Sequence, residues 1–134
     1  MTDREPFELA TTCAHLGLGA TVEPLVDFTW DEEALAAYEA SHAGDGADGR
    51  LVVLSRSDAD WTAWERHPAG EELVFLLEGR MTLLQDRDGT EVRIPMTGGQ
   101  AVVNPKGVWH TADVHEPGRV LYITPGLGTE HRPR

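Results

Sequence analysis

Only one cysteine, Cys13, occurs in the 134 residues, so no intrachain disulfide can form and the chain suits a reducing compartment. Basic residues are also scarce: 11 against 23 acids, for a formal charge of −12. That imbalance argues against a broad nucleic-acid surface or an anionic-membrane surface, because like charges repel. No apolar run approaches the roughly 20 residues of a membrane helix. The opening MTDREPFELATTC mixes acids and bases and holds no apolar stretch of signal-peptide length. A soluble, cytoplasmic protein with no nucleic-acid and no membrane partner is expected. Strict internal repeats, a Ser-His-Asp triad, a phosphate loop and a dinucleotide fingerprint are all missing. Function is therefore expected in a pocket that takes a small molecule.

What is present is ordinary globular composition, 40% hydrophobic and 25% charged, at a length that suits one core. One helix is expected near Asp31 to His42. Thr29 is placed to cap it, and Asp31, Glu32 and Glu33 stand in the first turn, where the helix dipole favours acids. Leu35, Tyr38 and His42 form a stripe at spacings of three and four, and Gly44 to Gly49 reads as a flexible loop. From Arg50 the period changes. RLVVLSR, DWTAWERH, ELVFLLEG, RMTLLQD, TEVRIP, GQAVVNP, VWHTADVH and RVLYITP are short runs rich in β-branched and aromatic residues, separated by turn signals that include Gly79 and Pro117-Gly118. Eight such runs predict an all-β barrel or sandwich. The chain divides into an N-terminal arm with the helix (1–49) packed on the barrel, the barrel itself (50–125) and a C-terminal tail (126–134).

The chemistry concentrates in WERHPAGEELVFLLEG, Trp64 to Gly79. Side chains alternate along a strand, so Glu65 and His67 share one face with Trp61 and Ala63, while Trp64 and Arg66 take the other. The short Pro68-Ala69-Gly70 turn is expected to make the flanking strands neighbours and to bring Glu72 beside His67. A second segment, GGQAVVNPKGVWHTADV, adds His110. Two imidazoles and two carboxylates suit divalent manganese, iron, nickel or zinc. Without a cation, two carboxylates in one cavity call for a proton or for water. The alternative is a pair of buried histidines with hydrogen-bonded rings and no metal. Trp61, Phe75 and Trp109 serve either as pocket walls or as plain core. His15, His42 and Cys13 receive no role.

These two segments resemble the two motifs of the cupin superfamily. His67, Glu72 and Gly79 match the second histidine, the glutamate and the closing glycine of the first motif. Gly99, Pro105, Gly107 and His110 match the second. Glu65 stands where the family has its first histidine, and Val114 where it has an asparagine. The resemblance spans roughly Arg50 to Pro125. It implies a double-stranded β-helix, or jelly-roll, barrel that places His110 opposite the first motif, with Glu65, His67, Glu72 and His110 around a divalent metal. It also implies oxygenase, isomerase or decarboxylase chemistry on a small organic molecule. The alternative is a non-catalytic small-molecule-binding or sensor cupin without metal, in which Glu65 meets a cationic or hydroxyl-bearing ligand directly. A homodimer is expected from the outward set Trp64, Arg66 and Trp109.

Overall fold

The computed structural model describes residues 5–134. A hairpin opens it, β1 (Ala14–Gly17) and β2 (Thr21–Pro24), followed by helix α1 (Glu32–His42) and a 3-10 turn (Ala43–Asp48). The glycine segment expected as a loop is thus a 3-10 turn, kinked at Gly46. Asp31, not Thr29, caps the helix. Its Oδ1 accepts the Ala34 N–H at 2.8 Å, while the Thr29 hydroxyl donates to Asp31 Oδ2 at 2.7 Å. Asp31 wins because it stands immediately before the first helical residue, three positions from the Ala34 amide, and Thr29 is left to steady it.

The barrel follows as β3 (Arg50–Ser57), β4 (Ala63–Arg66), β5 (Glu72–Arg87), β6 (Thr90–Thr97), β7 (Ala101–Asn104) and β8 (Trp109–Thr124), with β9 (Glu130–Pro133) at the end. All pairings are antiparallel; the strand pattern predicts the all-β class, and the architecture is the jelly roll that the motif resemblance implies. The eight runs become six strands, however. Gly79 and Pro117-Gly118 are not turns but lie inside β5 and β8, which pair with each other from Leu73↔Ile123 to Asp86↔Trp109. The register is irregular between Leu76 and Met81. Before the irregularity burial alternates, at Glu72, Val74 and Leu76; after it Met81 to Gln85 are all buried.

Glycine permits this crossing. A Cβ on Gly118 would fall on the Glu78 carbonyl group, and one on Gly79 would lie 2.8 Å from the Glu116 carbonyl oxygen. Around it Val74, Leu76, Met81, Leu83, Met96, Ala112 and Val120 form the core, with Trp61 and Tyr122 packed against it.

Two tertiary features depart from the sequence reading. First, β4 and β5 are not hydrogen-bonded neighbours. β4 pairs with β8 and β9, whereas β5 pairs with β6, β7 and β8. The Pro68–Gly70 connection hands the chain across the barrel instead of closing a hairpin. Second, residues 126–134 are more than a tail: β9 runs along β4, with Glu65 opposite His131. From β9, Arg132 lies 4.6 Å from the Trp109 ring centre and 5.3 Å from that of Trp64, and Arg66 also stacks on Trp109 at 4.6 Å. The outward aromatic set is therefore roofed by arginines of its own chain.

His15 and His42, given no role from sequence, join the arm together. His15 reaches the Tyr38 hydroxyl and Asp45, each at 2.6 Å, and His42 reaches Glu23 at 2.6 Å. These contacts fasten the β1–β2 hairpin to α1 and its 3-10 turn.

Candidate metal centre

The site lies where β4, β5 and β8 converge. β4 supplies Glu65 at its inward face, and His67 follows one residue past the strand end, on the same side. β5 opens with Glu72. β8 brings His110, which stands opposite Glu65 in the register. Each of the four residues offers one ligand atom, and these atoms lie within 4.8 Å of one another, so the group could hold a metal ion. His67, Glu72 and His110 are buried, and the Glu65 side chain keeps 25% of its exposure. The Glu65 carboxylate points inward, toward His67, and is not paired with Arg66, which bonds to Glu130 instead.

The ring nitrogens decide what this cluster can do. The single Thr129 hydroxyl proton goes to the Gly126 carbonyl, so Thr129 Oγ1 accepts from His67 Nδ1 at 2.9 Å. His110 Nδ1 donates to the Val108 carbonyl at 3.2 Å. Both rings therefore carry their proton on Nδ1 when neutral, and each leaves an Nε2 lone pair turned into the cluster. His67 Nε2 is 3.0 Å from Glu65 Oε1 and 3.1 Å from Glu72 Oε2, and His110 Nε2 is 3.3 Å from Glu72 Oε1. Despite that proximity, neither Nε2 has a hydrogen-bond partner among the described residues. The distances are short but the directions miss, because the lone pairs and carboxylate oxygens point at a common space. Unpartnered buried nitrogens are costly, and a cation among them fits both the donor set and the orphaned atoms.

Glu72 is held from behind. The Thr124 hydroxyl donates to its Oε2 at 2.7 Å and the Asn104 amide to its Oε1 at 3.0 Å. Gln85 donates to Asn104 at 2.9 Å, and Arg87 donates to Gln85. This chain, buried at Glu72, Asn104 and Gln85, fixes the carboxylate and its charge. Neither Asn104 nor Gln85 was singled out from sequence. Both read there as one polar residue in an apolar run, and only burial gives them meaning.

Burial works to raise the two glutamates and to lower His67, yet their mutual attraction outweighs it. His110 and His67 hold Glu65 well below the usual carboxylate range, and His67, His110 and Thr124 lower Glu72. Glu65 and Glu72 push His67 up to about 9. In the metal-free protein this pairing stabilises the fold fully below the unfolded histidine value near 6.5, and the contribution is lost as pH rises through about 9. Metal must displace that proton. Apparent metal affinity should accordingly rise by about tenfold per pH unit between neutrality and pH 9. Chelator-competition titrations at about pH 6.5 and about pH 8.5 measure this slope, and a flat profile would refute it.

A cleft of about 1150 Å³ opens onto the cluster. Trp61 and Tyr122 line it from the barrel, Trp30, Leu35 and Tyr38 line it from the arm, and Glu65 and His67 reach into it. The arm thus walls the mouth of the barrel. Of the two roles left open for Trp61 it takes both, packed against the core and lining the cleft, and Phe75 does not line the cleft. Trp109 faces away, under the arginines.

An antiparallel jelly roll with imidazoles and carboxylates gathered inside it defines a class of small barrel proteins built around one interior site. Residues 56–124, just over half of the chain, match the family described as a cupin domain, and the chain belongs to that family. Among solved structures it is similar to an uncharacterised conserved protein with a double-stranded β-helix domain from Klebsiella pneumoniae. Identity there is 20%, coverage is 63% of this chain and 76% of that one, and the TM-score is 0.52. It is also similar to a cupin-2 domain protein from Shewanella frigidimarina, at 22% identity, 63% and 71% coverage and a TM-score of 0.46. A third is the hydroquinone 1,2-dioxygenase of Sphingomonas, solved with 4-hydroxybenzoate bound, at 15% identity and a TM-score of 0.47. That alignment covers 56% of this chain and 58% of the dioxygenase, less than two thirds of its length. The first of these likenesses bears on the fold alone. No curated protein matches the chain.

Proposed function

We propose that this cupin binds a divalent transition metal, manganese, iron, nickel or zinc, through Glu65, His67, Glu72 and His110, and that it acts on a small organic molecule admitted through the cleft. The observation that carries this reading is the pair of buried Nε2 atoms, on His67 and His110, that face two carboxylates without a hydrogen bond among the described residues. When bound, such an ion supplies a Lewis acid at the inner end of the cleft, the common basis of oxygenase, isomerase and decarboxylase chemistry. The chain's own residues do the rest. Glu72 is immobilised by Thr124 and Asn104. Trp61 and Tyr122 offer apolar walls to the substrate, and Glu65 sits at the open side of the cluster. The protein, purified without chelator and offered the four metals in turn, should take up about one equivalent of at least one of them in a calorimetric titration. Uptake of none sinks the reading.

A second reading, a metal-free small-molecule binder, is favoured by one specific observation. With His67 raised to about 9, an imidazolium already offsets one of the two carboxylates at neutral pH. The same titration separates the two readings.

The homodimer belongs to this proposal with a changed surface. Arg132 roofs Trp64 and Trp109, whereas Leu18, Val22, Val26 and Trp30 of the arm are exposed, and β2 ends the sheet with a free edge. Val22→Lys should shift a dimeric wild type toward monomer in sedimentation. A wild type that is monomeric at high concentration removes the claim. The unpaired, buried Cys13 supports a cytoplasmic location, which imaging of a tagged chain tests.

A further inference from the structure

We infer that the C-terminal strand completes the metal centre, with His131 as the positioning residue for Glu65. The inference rests on the metal reading above and names the residue that makes a carboxylate serviceable where the family's motif has an imidazole.

Glu65 stands on β4 between two histidines in register, His110 on β8 and His131 on β9. Its two oxygens are divided between them. Oε1 faces the cluster, 3.0 Å from His67 Nε2 and 3.7 Å from His110 Nε2, while Oε2 lies 2.8 Å from His131 Nε2. An ionised carboxylate only accepts, so His131 Nε2–H donates. A glutamate has three side-chain torsions, and Glu65 is the most exposed of the four cluster residues. With Oε2 engaged by His131, Oε1 is the oxygen presented to an ion.

The strand that carries His131 is anchored beyond it, although the His131 side chain is 58% exposed. On one side Arg132 reaches Asp86 at 2.9 Å and covers Trp64 and Trp109. At the end of the strand Arg134 bonds to the Trp61 and Ala112 carbonyls, each at 3.1 Å, and to Asp113. Alternation places Thr129 and His131 on the same side of the segment. Thr129 fixes the proton of His67, and His131 fixes the carboxylate of Glu65. One face of nine C-terminal residues thereby orients two of the four cluster residues.

The test is metal affinity by chelator competition, in the full chain, with the metal that the wild type takes up. His131→Ala should weaken binding by about tenfold to a hundredfold. His131→Gln, whose amide can still donate to Oε2, should recover most of that loss. Glu130→Ala breaks the Arg66 bridge on the opposite face of the same strand and should leave affinity unchanged. With Glu65→His in place there is no carboxylate to position, so adding His131→Ala should then have no effect. Wild-type affinity in His131→Ala overturns the inference. So does an equal loss in the Glu65→His background, which would make His131 a ligand in its own right, or an equal loss in Glu130→Ala, which would reduce the effect to strand docking. A wild type that binds no metal overturns the metal reading and this inference together, an outcome distinct from the other three.

Discussion

His67→Ala and His110→Ala should each lower the metal content of the purified protein at least about a hundredfold in affinity, with the barrel still folded. The physical reason lies in how each ring is supported. Thr129 and the Val108 carbonyl hold the Nδ1 protons, so each Nε2 faces the cluster with no competing bond among the described residues. Removing either ring leaves two fixed carboxylates and one imidazole. Part of the deficit could be met by water from the cleft, but water does not replace the geometry. Glu65→Gln should weaken binding less, because an amide oxygen still ligates but carries no charge. Glu65→His should keep or tighten it by restoring two neighbouring imidazoles on the β4 side. Metal analysis after dialysis, with circular dichroism as the folding control, reads all four variants. Full metal content in His110→Ala would place the ion elsewhere.

Gly118→Ala should abolish the fold. The new Cβ would coincide with the carbonyl group of Glu78 and press on the Cα of Gly79. All of these are backbone atoms in the centre of the β5–β8 ladder, so no rotamer change relieves the clash. Relief requires the strands to part where their register is already irregular, between the buried Leu76 and Met81. The loss should exceed about 4 kcal/mol, a large share of the 5–15 kcal/mol that holds a domain of this size together. Gly44→Ala is the matched control: its Cβ meets nothing within 4 Å. Thermal unfolding followed by circular dichroism should show no cooperative transition for Gly118→Ala and a wild-type transition for Gly44→Ala. A Gly118→Ala protein melting with the wild type would mean that the strands do not approach as closely as described.

These two expectations differ in how far the sequence anticipates them. Alternation along WTAWERH is a local property. It places Glu65 and His67 on one face without reference to the rest of the chain, and Glu72 and His110 follow from motif spacing. The all-β class is equally local, because short β-branched runs with glycine and proline between them leave little else to form. The helix near Glu32 to His42 is legible for the same reason.

Only the tertiary structure decided the rest, and the reason in each case is sequence distance. Gly79 and Gly118 look like turn residues until their strands are laid across each other 39 positions apart; then they are places where a Cβ would run into backbone. The Pro68–Gly70 connection looks like a hairpin turn, yet it bridges two parts of the barrel, because β4 finds its partners in β8 and β9. Asn104 and Gln85 become meaningful only when burial leaves Glu72 dependent on them. His131 carries no local signal at all. In GLGTEHRPR it is one polar residue among charges, and it acquires a role only because β9 pairs with β4 and sets it opposite Glu65. The sequence by itself determined an all-β barrel and the residues able to surround an ion. The pairing of distant strands decided which oxygens and nitrogens face a common space and which groups hold them there, because hydrogen-bond direction is a property of the assembled sheet, not of the segments that enter it.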